Sequence, residues 1–447
     1  MNPSETNSLE TTTSTGYGSG EAPTFDVYSK CVRCGLCLNS CPTYRELGVE
    51  MDSPRGRIYQ IIQVERGRLP LGESFVKHID LCLDCRACET ACPSGVEYGR
   101  LVESARGQIE KHYKRPPLEA LLRKLFFREI LPHSRRLEFV GKMLRLYQRS
   151  GLERAVLASG ILKLLPGRMA RVARLAPRVD TQFFTEKLGT VVPAIGKRHY
   201  RVAFFAGCIA NLTFSRLNEA TVKVLVRNGC DVVIPANQGC CGALHVHAGM
   251  RDLARHLAKR NIQTFMADGY DAIITNAAGC GSVLKEYPLL FEEEEREFYE
   301  PARAFTSRLK DVTEFLAGID FNRAFGVMKV RATYQDPCHL GHAQRIRSAP
   351  RLLLAAVPGV DFVELKEAEI CCGSAGIYNV AQNEMAEQLL ENKMRRVDET
   401  GAEVILTANP GCLLQLRAGV AESGNPRRRV LHVVELLEEA YAAANTH

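Results

Sequence analysis

Cys31-Val-Arg-Cys34-Gly-Leu-Cys37-Leu-Asn-Ser-Cys41-Pro42 returns, with the same spacing, as Cys82-Leu-Asp-Cys85-Arg-Ala-Cys88-Glu-Thr-Ala-Cys92-Pro93. Three thiolates at i, i+3 and i+6 let one loop wrap three corners of an iron cubane, while the cysteine before proline reaches the neighbouring cluster. The spacing therefore assigns Cys31, Cys34, Cys37 and Cys92 to one [4Fe–4S] cluster, and Cys82, Cys85, Cys88 and Cys41 to a second. Zinc sites use C-x2-C pairs at longer separation, and tight cysteine clusters in a long chain do not read as a disulfide framework. A cubane passes one electron at a time, so a neighbouring pair reads as a relay. Backbone N–H groups at Gly35 and Gly95, and the charges of Arg33 and Arg86, are candidates for tuning the potential. The competing reading of each is a turn residue or a surface charge.

Outward from the two loops, Ile58, Ile61 and Ile62 follow helical spacing, with Asp52-Ser-Pro54 as a start signal and Gly67 as a stop. A helix between the motifs makes residues 25–111 a helical two-cluster ferredoxin domain. Residues 1–24, rich in Ser, Thr and Gly, read as a disordered tail without secretory character. Residues 112–195 lack cysteine and read as a basic connector of amphipathic helices, cut by Pro116-Pro117, Pro132, Pro166 and Pro177.

A longer repeat follows. Cys208 precedes Cys240-Cys241-Gly242 by 32 positions, and Cys280 lies 39 beyond Cys241; Cys338 precedes Cys371-Cys372-Gly373 by 33, and Cys412 lies 40 beyond Cys372. Such matched spacing marks two domains, 196–322 and 323–447. Short apolar runs at 201–205, 231–234 and 271–275, and at 330–335, 360–365 and 403–407, read as strands; helices are expected near 216–228 and 249–267. The fold class is α+β multidomain: a helical ferredoxin domain, a helical connector and two α/β cysteine-rich domains with parallel sheets. Each cysteine group then falls beyond the carboxyl end of a strand, where open α/β sheets place ligands. The quartets Cys208, Cys240, Cys241, Cys280 and Cys338, Cys371, Cys372, Cys412 read either as ligands of an additional cluster or as redox-active or structural thiols. Beside them stand His245, His247, His339, His342, Asp336 and Lys285, each a candidate for moving a proton and each also readable as a packing residue.

Seventeen cysteines without a secretory leader place the chain in the cytoplasm, where thiolates stay available for iron. No run reaches the roughly 18 apolar residues of a membrane span; the nearest, residues 155–165, is interrupted by Lys163. The net charge of +7 is uneven: residues 101–200 hold 21 Lys or Arg against 8 Asp or Glu. That excess reads as a docking face for an anionic membrane surface or an acidic partner, or as solvated helix faces; no nucleic-acid motif accompanies it. No P-loop, dinucleotide fingerprint or nucleophile elbow is present, so any flavin or nicotinamide chemistry is expected on another chain.

The segments Cys37-Leu-Asn-Ser-Cys41-Pro-Thr-Tyr44, Asp52-Ser-Pro-Arg-Gly-Arg-Ile-Tyr59, the whole run from Cys82 to Val96, Gly239-Cys-Cys-Gly-Ala243, Lys285-Glu-Tyr287, His342-Ala-Gln344, Cys371-Cys-Gly-Ser-Ala-Gly376 and Thr407-Ala-Asn-Pro-Gly-Cys412 resemble the iron–sulfur subunit family of bacterial glycolate oxidase over residues 25–440. The resemblance implies a complex in which FAD-containing subunits oxidise glycolate to glyoxylate. This oxidoreductase subunit would carry the electrons onward to quinone, at the inner face of the cell membrane. Chains of similar layout serve lactate oxidation, glycerol-3-phosphate oxidation and heterodisulfide reduction. Heterodisulfide reductases end their cysteine-rich domains in C-x-x-C, whereas this sequence has Cys280-Gly-Ser-Val283 and Cys412-Leu-Leu-Gln415, so a fifth thiol is absent from both repeats.

Overall fold

Ser53 starts the helix that separates the two cysteine loops. Its hydroxyl accepts the Gly56 N–H at 3.0 Å, and Pro54 fills the first turn, where a missing N–H costs nothing. The helix runs Pro54–Glu65 and stops before Gly67, whose φ of +64° suits a residue without Cβ. Ile58, Ile61, Ile62 and Val64 bury against Phe75, Val76 and Ile79 of the Glu73–Asp80 helix and against Leu101, Val102, Ala105 and Ile109 of the Tyr98–His112 helix. This computed structural model describes residues 16–18, 21–159, 178–292, 295–425 and 427–444. Among them the first domain is all helix, as its sequence indicates.

The tail reading of 1–24 fails at its far end. Tyr17 is buried, its hydroxyl donating to the Ile61 carbonyl at 3.2 Å, and Glu21 pairs with Arg251 at 2.9 Å and Arg255 at 2.5 Å. An aromatic and an acid that find partners override a composition typical of disorder. Residues 1–15, 19 and 20 lie outside the described residues.

Pro116 and Pro132 bound connector helices as expected: Pro117–Lys124 continues into a wider π-helical turn, Leu125–Ile130, and Ser134–Arg149 follows. Leu152–Ala158 is the last described helix of the connector; Pro166 and Pro177 lie outside the described residues. The connector reading to residue 195 is too long, because Val191–Val192 is strand β1 of the first sheet.

That sheet comprises β1, β2 (Tyr200–Phe205), β3 (Cys230–Val233), β4 (Ala272–Thr275) and β5 (Leu309–Asp311), in the order β1-β3-β2-β4-β5. The second comprises β6 (Val330–Tyr334), β7 (Val360–Phe362), β8 (Val404–Thr407) and β9 (Arg429–His432), in the order β7-β6-β8-β9. Every pairing is parallel except that of β1 with β3, which is antiparallel. Strands β4 and β8, and the Val202–Phe205 part of β2, are buried at every position, as parallel strands covered on both faces require. The two α/β units meet with near two-fold reciprocity. The Ser215–Arg227 helix of the first packs on Val433–Ala444 of the second, and Ser348–Ala355 of the second packs on Val312–Ala317 of the first. Val224, Leu225 and Phe315 thereby share one apolar core with Leu353, Leu436 and Tyr441.

Candidate functional site: two thiol loops and a thiol-lined cleft

The two N-terminal loops adopt one backbone. Arg33 and Asp84 have φ of +58° and +54°, and Gly35 and Arg86 have +84° and +60°, so the third and fifth residues of each loop are left-handed. Left-handed residues placed among right-handed ones turn successive N–H groups inward, the concavity that cradles an anion. The Asp84 N–H donates to Cys82 Sγ at 3.3 Å. Asp84 and Arg86 hold this conformation without being glycine, at a cost of about 1–2 kcal/mol each. Such strain persists where surroundings over-determine it.

Cys41 comes from the first loop, yet it lines one cavity with Cys82, Cys85 and Cys88 of the second, alongside Pro42, Arg57 and Tyr98. This donor set, four sulfurs facing one space with the Tyr98 hydroxyl donating to Cys82 Sγ at 3.7 Å, fits an iron–sulfur cubane. Burial pushes the Cys85 and Cys88 thiols far up, and the neighbouring sulfurs add to it. Arg57 is the countercharge. It is 1% exposed, donates to the His78 carbonyl at 2.7 Å and the Thr43 hydroxyl at 3.1 Å, and lies 3.5 Å from Asp52. Sequence reading placed Arg57 only as part of a helix; its lack of a place on the helix's polar face was the available signal. Cys31, Cys37 and Cys92 are half-buried at the edge of the same core, and Cys34 is exposed. Burial, with Cys31 and Cys41 nearby, pushes the Cys37 thiol up to about 11.

The eight thiols of the two repeats line one cleft of about 760 Å³, which Cys82 also reaches. Within it they form two groups. Cys208 Sγ lies 3.4 Å from Cys240 Sγ, and Cys241 contacts Cys240 and Cys280. Cys338 Sγ lies 3.9 Å from Cys371 Sγ, and Cys372 contacts Cys371 and Cys412. Gly242 and Gly373, at φ +83° and +88°, turn each Cys-Cys pair into the cleft. A side chain at Gly373 would meet the Ala386 carbonyl at 2.5 Å. Cys372 is held far below its usual range, first by hydrogen bonds from Cys371 and Cys412, then against burial by the Ser374 N–H and the Lys393 charge. Lys393, fully buried and donating to the Glu367 carbonyl at 2.7 Å, was not singled out from sequence. Cys230 stands apart, buried in β3 with its thiol against the Asn228 carbonyl.

Of the polar candidates, His247 and His339 line the cleft, their rings 5.1 Å apart. Burial disfavours charge on His247, but hydrogen bonds to Asp84 and Glu103 win and raise it to about 9. Burial, then the charge of His247, pushes His339 down to about 4. The other four serve packing. His245 bonds the Phe127 carbonyl at 2.9 Å, His342 faces the Glu369 carbonyl at 3.2 Å, Asp336 pairs with Arg351 at 2.7 Å, and Lys285 pairs with Glu314 at 2.8 Å. Arg33 remains exposed over the Tyr59 ring, whereas Arg86 is no surface charge: it is buried between Glu103, at 2.7 Å, and Glu286. Asp84, Glu103 and His247 offer ligand atoms within 4.8 Å of one another, but Arg86 and Arg106 already balance both carboxylates.

Family comparisons agree with this layout. A 4Fe-4S dicluster domain matches residues 27–96, the linker region of the glycolate oxidase iron-sulfur subunit matches 118–176, and the cysteine-rich domain matches 202–285 and 332–417. The probable glycolate oxidase iron-sulfur subunit of Bacillus subtilis is 44% identical over 92% of this chain and 93% of its own length. The glycolate oxidase iron-sulfur subunit of Escherichia coli is 34% identical over the same shares. Lactate utilization protein A of a Geobacillus species is 31% identical over 53% of this chain and 98% of its own. With its dicluster loops, linker and paired cysteine-rich domains all in place, the chain belongs to the family of glycolate oxidase iron–sulfur subunits.

Proposed function

We propose that this chain carries electrons from FAD-bearing partner subunits, which oxidise glycolate to glyoxylate, to quinone at the membrane periphery. The observation that carries the reading is Cys41 crossing over to line the cavity of Cys82, Cys85 and Cys88, which supports the ligand exchange expected of paired [4Fe–4S] clusters. When bound, such clusters accept and release single electrons. The chain's own residues supply a direction. The Cys34 loop is exposed, with Val32 and Leu36 beside it, and offers an entry face for a partner flavoprotein. Cys85 and Ala87 pack with Cys371, Tyr378 and Cys338 of the second repeat, and the Tyr378 hydroxyl donates to the Leu81 carbonyl at 2.9 Å. Electrons entering at Cys34 would thus pass the buried loop to the cleft.

Glycolate is favoured over lactate because the lactate-named relative matches only half of this chain. A heterodisulfide-type reaction is disfavoured because Val283, where a fifth thiol would stand, is packed in the apolar core. Anaerobic purification with iron and sulfide analysis and EPR tests the reading: about eight irons per chain mean the ferredoxin clusters alone, and about twelve or more add the cleft. Cys34→Ser is expected to stop electron transfer to an acceptor while a partner flavin is still reduced by glycolate. Unchanged turnover in that variant would refute the relay.

A further inference from the structure

The Pro117–Lys124 helix is amphipathic in sequence yet buries no side chain. Leu118, Leu121, Leu122 and Leu125 stand at i, i+3, i+4 and i+7, the spacing of a core-facing stripe, but they are 69, 61, 56 and 48% exposed. The next long helix, Ser134–Arg149, carries a second exposed apolar stripe of Phe139, Val140, Met143 and Leu146, exposed by 62, 42, 47 and 61%. A helix this short gains little from its own hydrogen bonds, so burying the stripe must repay its folding. Nothing among the described residues covers it.

Charge identifies the cover. Residues 112–159 hold eleven Lys or Arg against four Glu. Three of those acids are already engaged: Glu119 by Arg115 at 3.0 Å, Glu129 by Arg136 at 2.5 Å, and Glu138 by Lys142 at 2.8 Å. Lys114, Lys124, Arg128, Arg135, Arg149 and Arg154 are exposed around the apolar stripes. Leucine and phenylalanine on one face, with lysine and arginine flanking them, is the pattern of a helix lying in the plane of an anionic lipid surface. We infer that the connector helices 117–130 and 134–149 seat this chain on an anionic membrane, with the two apolar stripes dipped into the acyl boundary.

The seat adjoins the cleft. Phe127 and Leu137, on the inward side of the same helices, and Leu131 in the turn between them bury against Cys240, Met250 and Leu257, and the Phe127 carbonyl holds His245. Cys240 of the first repeat, with Cys208 beside it, therefore packs against the proposed lipid-facing elements. This deepens the membrane-peripheral part of the proposed function but needs neither the relay nor glycolate.

Flotation of the full-length, anaerobically purified protein tests it. Vesicles of phosphatidylcholine containing phosphatidylglycerol should carry the protein upward, vesicles of phosphatidylcholine alone should carry far less, and added salt should weaken binding. Leu118→Gln/Leu121→Gln/Leu125→Gln should abolish flotation, and Lys124→Glu/Arg128→Glu should weaken it roughly tenfold or more. Neither should lower iron content or electron transfer from a reduced partner flavin to a soluble dye, because these side chains are outside the core. Absence of flotation, or flotation that both variants leave intact, overturns the proposal. So does loss of partner-subunit binding in the variants without any vesicle binding by the parent protein, which would assign the face to a protein. Dye reduction that fails in the parent protein while flotation succeeds would count against the relay alone.

Discussion

Arg57 shows how one side chain can be both structural and electrostatic. Its guanidinium has no water to solvate it, so Thr43, the His78 carbonyl and Asp52 must do so, and the sulfurs of Cys41 and Cys82 favour its charge. Arg57→Met removes that charge and leaves Asp52 with His78 alone, at 2.8 Å. Breaking a buried pair in this way costs about 3 kcal/mol or more. Chemical denaturation under nitrogen should show that loss, together with fewer irons retained by the second loop. Arg57→Lys should rescue part of the stability but not the paired contact to Thr43, since one ammonium cannot reproduce the fork. The spacing groups Cys41 with Cys82, Cys85 and Cys88, and these four line one cavity. Arg57 was signalled only by its place among the helix's apolar residues, and Lys393 and the burial of Arg86 were not legible, because which charge is buried depends on segments brought together from far along the chain.

At the scale of elements, the repeat is copied even in its caps. Asp311 accepts the Thr313 N–H at 2.8 Å and Glu314 accepts the Asp311 N–H at 3.2 Å, closing a capping box after β5. After β9, His432 Nδ1 accepts the Val434 N–H at 3.1 Å and Glu435 accepts the His432 N–H at 2.7 Å. The histidine can fill this role only while neutral. Burial pushes its pKa down to about 3, against about 6.5 when unfolded. A base depressed in the folded state costs nothing above pH 6.5. As pH falls from there toward 3 the unfolded chain takes up a proton that the folded chain refuses, and stability falls by up to about 1.4 kcal/mol per pH unit. His432→Asn keeps an acceptor without the titration. Denaturant midpoints at pH 7 and pH 5 should therefore converge in the variant relative to the parent; an unchanged difference would show that His432 is not responsible. Strands β5 and β9 escaped sequence reading for a physical reason: Leu309-Lys-Asp311 and Arg429-Val-Leu-His432 are short, interrupted by charge, and lie at sheet edges where one side needs no apolar cover. The central strands β4 and β8, Ala-Ile-Ile-Thr and Val-Ile-Leu-Thr with every residue buried, were plain.

The whole molecule is organised by the dicluster domain resting on both repeats. Arg106 donates to the His247 carbonyl at 3.1 Å on the first, and His339 of the second bonds the Asp84 carbonyl at 2.9 Å. Gly249 marks how close the approach is: its φ is +81°, and a Cβ there would stand 2.2 Å from the Arg106 carbonyl oxygen. Gly249→Val is expected to pry the Tyr98–His112 helix from the first repeat, lowering the melting temperature and raising protease cleavage within residues 98–112. An undisturbed cleavage pattern would mean the contact is not needed. The shared cleft was invisible in the sequence, which showed two equal thiol quartets and gave no sign that they open on one space.

The reciprocal packing of the two repeats also bears on how the chain could be divided. A lone second repeat would leave the Val433–Ala444 helix without its Ser215–Arg227 partner, and Ser348–Ala355 without Val312–Ala317. Another copy of that same half could offer, through its own helices, an approximation of the missing wall. Severed near residue 325, the C-terminal piece would therefore tend to homodimerise rather than stand as a monomer, with two identical quartets closing on one another.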